Sequence, residues 1–177
     1  NNAKVYLAMH VPPGTAAYSN NAMWTELNNN QNWQNTFLAL TTRYQNTIAG
    51  MLYGHTHMDE LRRLYDSTGK NITEVAISCP GVTPQHYNNP GFKVVQYDAA
   101  NKELMDFTTY FTKPSAHTWG NSSYTFSKVY GCAPGLSMYS YLSKLTLNAV
   151  GNFMNYTFTV RNGTVDYATR GIEVMPQ

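Results

Sequence analysis

Residues 51–60 read Met51-Leu52-Tyr53-Gly54-His55-Thr56-His57-Met58-Asp59-Glu60. Ile48 to Tyr53 is an apolar run that reads as a buried strand, and it stops at a glycine followed by histidines at i and i+2. Loops at the carboxyl ends of strands are where open α/β sheets carry their ligands. A second apolar run, Lys4 to Met9, ends in His10-Val11-Pro12-Pro13-Gly14. Its composition suits a strand covered on both faces. The prolines cannot continue a ladder and Gly14 permits an unusual turn, so His10 is presented on a stiffened loop. The plain alternative for any Gly-His-x-His is two surface histidines in a turn.

Between the two runs, Asn20 to Gln31 is an asparagine-rich loop near the site, anchored by Trp24 and Leu27. Trp33, Phe37, Leu40 and Tyr44 are spaced by four, three and four, which predicts an amphipathic helix over 32–46 with this stripe in the core. A helix between two strands, each ending in histidine, is a βαβ-like unit that can set both strand ends side by side. His10, His55 and His57 are then candidate metal ligands, since neutral imidazole suits zinc, iron, manganese and related divalent metals. Two arrangements stay open: a dinuclear site with ions about 3.5–4 Å apart, or one tri-histidine zinc with a fourth position free for water.

Downstream, Glu60 to Asp66 reads as a strand, Ser67 to Lys70 as a turn, and Glu74 to Cys79 as a further strand closed by Pro80-Gly81. Arg62 and Arg63 are adjacent and so point to opposite faces of that strand. A solvated edge is expected for both, with a pocket position open to one. Phe92 to Asp98 and Glu103 to Thr112 alternate around a turn at 99–102, an antiparallel hairpin. After Pro114 the pattern becomes helical. A short helix is expected within Trp119 to Gly131, then one capped by Ser137 with Met138, Leu142, Leu145 and Ala149 on one face, continued by Phe153, Tyr156 and Val160. From Asn162 the sequence is turn-rich.

A chain of 177 residues with net charge +2 and 12% charged residues is long enough for a real core and has no electrostatic footprint for nucleic acid. No run of 18 apolar residues predicts a transmembrane helix. Asn1-Asn2-Ala3-Lys4 contains neither a starting methionine nor a signal peptide, and a strand begins at once, so the chain reads as a piece of something longer. Sequons at Asn71, Asn121, Asn155 and Asn162 match what chance yields in a chain so rich in Asn, Ser and Thr. Cys79 and Cys132 allow one disulfide or two free thiols.

His-Val-Pro-Pro-Gly, then GMLYGHTHMDELRRLYD, then CPGVTPQHYNNPGFKVVQYD with LMDFTTYF, resemble the second half of an acid sphingomyelinase-like phosphodiesterase of the calcineurin-like metallophosphoesterases. YTFSKVYG, the helix at 138–147 and NFMNYTFTV are similar to the helical C-terminal region of those enzymes. The resemblance implies an α/β fold. The chain would be the C-terminal half of a four-layer α/β/β/α sandwich at 1–113, followed by a helical region at 114–177. It implies His10 and His55 on one metal and His57 on another, with zinc the usual ion and two ions in the complete enzyme. Asp59 would orient a ligand or fix the loop, against the alternative of a turn residue bonding its own backbone. It further implies hydrolysis of phosphodiester or pyrophosphate bonds in sphingomyelin-type lipids or nucleotides. A secreted, periplasmic or lysosomal setting follows from the family, and such a setting favours a Cys79–Cys132 bridge.

The family's first half carries Asp-x-His, Gly-Asp and Gly-Asn-His motifs, and none occurs here. His86 and His117 lie outside the motifs and read as ordinary loop histidines. The expectation is therefore a fragment inactive alone, whose partner is the missing N-terminal half in cis or as a separate chain. The alternatives are a non-catalytic binding module and a mononuclear tri-histidine zinc hydrolase. Folded without the other half, the chain is expected to expose an apolar sheet face or to self-associate over it.

Overall fold

The computed structural model describes residues 3–16, 21–24, 32–83, 89–112, 122–145, 157–159, 166–168 and 170–177. Ten strands and three helices lie within these residues. The first unit is β1 (Val5–Ala8), α1 (Trp33–Tyr44) and β2 (Ile48–Tyr53). β1 and β2 pair in parallel as neighbours, so the βαβ reading holds. β3 (Glu60–Tyr65) and β4 (Ile72–Ser78) pair antiparallel, joined by a turn in which the Asp66 carboxylate accepts from the amides of Thr68 and Lys70 and from both side chains of Thr68 and Asn71. β4 also pairs in parallel with β2.

The remaining hairpin is β5 (Gly91–Tyr97) with β6 (Leu104–Phe111), extended by β7 (Ser122–Thr125) into a three-stranded antiparallel sheet. α2 (Phe126–Tyr130) and α3 (Met138–Leu142) follow, the latter capped by Ser137 as its sequence predicts. The expected helix within Trp119 to Gly131 is thus split, because Ser122 to Thr125 is drawn out by pairing with Thr108 to Phe111. Beyond α3 the strand β8 (Thr157–Thr159) pairs with β9 (Asp166–Ala168), where a helix through Val160 and a turn-rich tail were expected. β10 (Arg170–Val174) then returns beside β3 in parallel, completing a five-stranded sheet in the order β1-β2-β4-β3-β10. The helical expectation for the tail fails at these strands, since sheet partners far away in sequence override local pattern. Leu27, Ala149, Phe153, Tyr156, His86 and His117 lie outside the described residues.

Two cores flank the five-stranded sheet. On one face Met51, Tyr53, Leu64, Ala76, Ile172 and Val174 pack under Leu38 of α1. On the other, Leu61, Val75 and Ile77 meet Leu104 and Phe107 of the second sheet, with Phe126 and Met138 closing the end. The layers run α1, five-stranded sheet, three-stranded sheet, consistent with an α/β class.

Two faces differ from expectation. α1 buries Gln34, Leu38 and Thr41, while Trp33, Leu40 and Tyr44 stand 56%, 47% and 45% exposed. A buried polar anchor sets this rotation: Gln34 accepts from the Gly14 amide at 2.8 Å and donates to the Met175 carbonyl at 2.7 Å. Phe37 alone of the stripe finds an aromatic partner among the described residues, Trp24, with ring centroids 4.9 Å apart. β1 is a sheet edge and largely exposed, rather than covered on both faces. Tyr6 on β1 touches Tyr97 on β5 edge to face, so exposed Val5 and Tyr6 continue into exposed Phe92, Val94 and Tyr97.

Candidate functional site

Parallel β1, β2 and β4 all end at the same edge of the sheet, and antiparallel β3 begins there. His10, His55, His57, Asp59, Glu60 and the turn at Pro80-Gly81 are therefore gathered at one end by topology alone. The loop amide of Gly54 donates to the His10 carbonyl at 3.1 Å, which joins the two histidine loops through the backbone. His10 Nε2 lies 3.3 Å from His55 Nδ1, with the rings edge to face. Both rings are exposed.

His55 and His57 hold left-handed backbone, at φ 68° and 58°. Non-glycine residues pay about 1–2 kcal/mol each for this conformation, and two such residues on either side of Thr56 turn the loop back on itself. The Thr56 amide donates to Gly54 at 2.8 Å and closes the turn. His57 meets a different part of the chain. Its Nδ1 lies 3.4 Å from Thr83 Oγ1, and its backbone carbonyl accepts from the Gly81 amide at 3.1 Å. A Cβ on Gly81 would fall 2.7 Å from His57 Nδ1, so that position requires glycine for the ring to lie against the chain. Among the described residues no three His, Cys, Asp or Glu side chains are gathered as ligands of one ion, and the tri-histidine centre is not assembled there. The pair His10–His55 is brought together.

Asp59 is buried and reaches into the second sheet. Its carboxylate accepts from Lys93 Nζ at 2.8 Å, from Thr109 Oγ1 at 3.3 Å and from the Tyr124 hydroxyl. These three donors are in register across β5, β6 and β7, one polar row laid against the carboxylate. It is not the simple turn residue of the alternative reading. Lys93 Nζ also sits 3.7 Å over the Phe107 ring. Burial pushes the Lys93 ammonium below its usual range, and the Asp59 charge opposes that. Burial likewise pushes the Tyr124 phenol up, with Asp59 adding to it. Lys93 gave no sequence signal as an inward residue, because on a strand with exposed Phe92 and Val94 the alternation runs the opposite way from a usual surface hairpin.

The two arginines are buried, against the expectation of a solvated edge. Arg62 Nη1 donates to the carbonyls of Pro13 at 2.7 Å and Thr15 at 3.0 Å, and Nη2 to Glu60 Oε2 at 2.7 Å. Thr56 Oγ1 donates to the same Glu60 oxygen at 3.1 Å. Arg63, on the other face, pairs with Glu173 and donates to the carbonyls of Leu142 and Leu145. A signal was present: Glu60 and Arg62 are two apart on a strand, hence on one face with opposite charge.

Cys79 and Cys132 are free thiols in the structure, and the disulfide is not formed there. Cys79 follows β4 near Lys93 and Asp59, whereas the Cys132 thiol turns to the Ala133 and Leu136 carbonyls after α2. Burial raises both thiols above the usual range. Among the described residues no helix is long and apolar enough to cross a membrane.

No protein-family model matches the chain. Among curated proteins it is 33% identical over 157 residues to Acid sphingomyelinase-like phosphodiesterase 3b of Homo sapiens, which covers 80% of this chain and 33% of that protein. It is 34% identical over 144 residues to Cyclic GMP-AMP phosphodiesterase SMPDL3A of Rattus norvegicus, covering 75% and 31%. Sphingomyelin phosphodiesterase B of Dictyostelium discoideum is 31% identical over 116 residues, covering 62% and 16%. The chain spans about a third or less of the length of these relatives. With four-fifths of its residues aligned to one of them, the chain is a relative of the acid sphingomyelinase-like phosphodiesterases, matching part of their length.

Proposed function

We propose that this chain is part of a metal-dependent phosphodiesterase of calcineurin-like architecture, with His10 and His55 holding one divalent ion and His57 serving a second. The observation that carries the reading is the approach of His10 Nε2 to His55 Nδ1 at 3.3 Å from the ends of neighbouring parallel strands. Two nitrogens bound about 2.0–2.1 Å from a tetrahedral zinc stand roughly 3.3–3.4 Å apart, so the pair is spaced as ligands of one ion. The left-handed backbone at His55 and His57 adds support, because strain of this kind persists where a site needs it. Zinc suits these imidazoles, and so do other divalent transition metals. When bound, such ions polarise a phosphoryl oxygen and bring a coordinated water toward ionisation near neutral pH. The chain's own part is to aim the imidazoles: the proline loop holds His10, and the turn at Gly54 to His57 splays the other two.

The relatives' names share a phosphodiester bond and differ in what carries it, so the substrate class is that bond in a lipid or a nucleotide. The absent Asp-x-His, Gly-Asp and Gly-Asn-His motifs make the complementary half, in cis or as a separate chain, part of the working site, and the fragment alone inactive. The exposed strip from Val5 and Tyr6 to Phe92, Val94 and Tyr97 supports such a partner. On this reading α1 and the two sheets are three of the four layers of the sandwich. The location is secreted, periplasmic or lysosomal, as its named relatives' family suggests.

Metal content of the chain purified without chelator tests the reading, beside hydrolysis of bis(4-nitrophenyl) phosphate once the complementary half is joined to it. The expected result is less than one firmly held ion alone, then two ions and hydrolysis in the joined protein, both lost on His55→Ala. Two firmly held ions on the chain alone would refute its incompleteness. A joined protein that folds yet binds no metal would end the metal reading.

A further inference from the structure

Between the two histidine loops runs a continuous chain of buried polar contacts that the metal reading does not use. Thr56, which lies between His55 and His57, donates to Glu60 Oε2. The same oxygen accepts from Arg62 Nη2. Arg62 Nη1 then donates to the carbonyls of Pro13 and Thr15, in the loop that begins at His10. Thr56, Glu60 and Arg62 are all fully buried, which is unusual for a charged pair at a sheet end and costs desolvation that its partners must offset.

We propose that Arg62 is a positioning residue: through Glu60 and Thr56 on one side and the Pro13 and Thr15 carbonyls on the other, it sets the separation of His10 from His55. The inference rests on the reading of those histidines as ligands, and it names what holds them at ligand spacing. Three features make the link rigid. A guanidinium is planar, so its two nitrogens fix the direction from Glu60 to the proline loop, which a lysine ammonium does not. Gly14 sits between the two accepting carbonyls at φ 92°, and a Cβ there would lie 3.0 Å from Val174 Cγ2 and 3.2 Å from Arg62 Nη1, so the loop is pressed against both β10 and the guanidinium. Thr56 Oγ1 also stands 3.4 Å from the Met58 amide, which ties the hydroxyl into the His55–His57 turn. Outer partners that orient ligating imidazoles typically change metal affinity about 10–100-fold when removed.

Thr56→Val removes one hydroxyl at nearly constant volume, and Arg62→Lys keeps the charge while losing the fork. Each would be compared with the parent chain by thermal melting, by histidine side-chain nitrogen NMR of the His10–His55 pair, and by zinc titration. The expected result is cooperative melting in both variants, altered tautomer signals for His10 and His55, and zinc affinity lower by about 10–100-fold. Arg62→Lys should retain the parent's melting more fully than it retains the parent's imidazole signals. Unchanged imidazole signals and zinc affinity in folded Thr56→Val would overturn the proposal, whatever Arg62→Lys does. If the parent chain alone takes up no zinc, the zinc titration is read on the protein joined to its complementary half, and the nitrogen signals of the chain alone still decide whether the relay positions the pair.

Discussion

Arg62 and Arg63 are neighbours in the chain, yet they serve opposite sides of β3. Each guanidinium holds one carboxylate and two backbone carbonyls. On the α1 side, Arg62 and Glu60 are both 0% exposed and grip the proline loop at the histidine end of the sheet. On the other side, Glu173 remains 24% exposed, and Arg63 secures the end of α3 and the strand β10. The same chemistry therefore builds a sealed joint where imidazoles must be aimed and a partly wet one where the tail is fastened. The depth of burial, more than the number of bonds, separates the two.

The largest test of that contrast is Arg62→Met. It strands the buried Glu60 charge, and urea unfolding should show a loss of about 3–5 kcal/mol. Adding Glu60→Leu to the same chain should recover most of the loss, because a well-packed apolar pair avoids the desolvation cost. Failure of the double variant to recover would mean that the loop carbonyls, not the charge pair, dominate.

Glu74 sharpens the contrast as a buried carboxylate without an arginine. Burial, with Glu103 adding and Lys4 opposing, pushes it up from 4.5 to about 8. The folded state then holds a proton that the unfolded state has released, so stability should fall as pH rises from about 4.5 to about 8, by on the order of a few kcal/mol. Glu74→Gln should flatten that slope in unfolding curves taken across the range. A slope that survives the substitution belongs to another group.

Arg63→Met should cost less than Arg62→Met, about 1–3 kcal/mol, since water reaches Glu173. Its signature is local: amide exchange should quicken in β10 while the His10–His55 signals stay put. Gly81→Ala crowds the His57 side chain from Nδ1 back to Cβ and touches no ion pair. It should shift the His57 NMR signals and cost about 1–2 kcal/mol. Movement of the His10 signals in that variant would show the two halves of the site to be mechanically joined.

These contrasts also explain what could be read from the sequence. Ile48 to Tyr53, the hairpin at 91–111 and the turn at Asp66 announced themselves through apolar runs and turn residues, which act locally. The meeting of His10 and His55 followed from two strand ends flanking a helix. The buried face of α1 was not legible, because Gln34 chose it by reaching Gly14 and Met175, residues near opposite ends of the chain. Nor were the inward Lys93 and Arg63, whose counter-charges lie 34 and 110 residues away at Asp59 and Glu173, whereas Arg62 carried a local signal in Glu60 two residues before it. The strands of the tail escaped for the same reason: polar, turn-rich sequence becomes β10 only when β3 is beside it.

The late arrival of β10 also bears on how the chain is made. Arg63 is synthesised 110 residues before Glu173, an interval of roughly 6–22 s at about 5–20 residues per second. Throughout it the outer edge of β3 has no strand beside it. Such an edge invites pairing with other nascent chains, and inward-pointing charge is one of the devices that discourages it. Glu60, Arg62 and Arg63 put that kind of charge on β3 from the moment the strand is made.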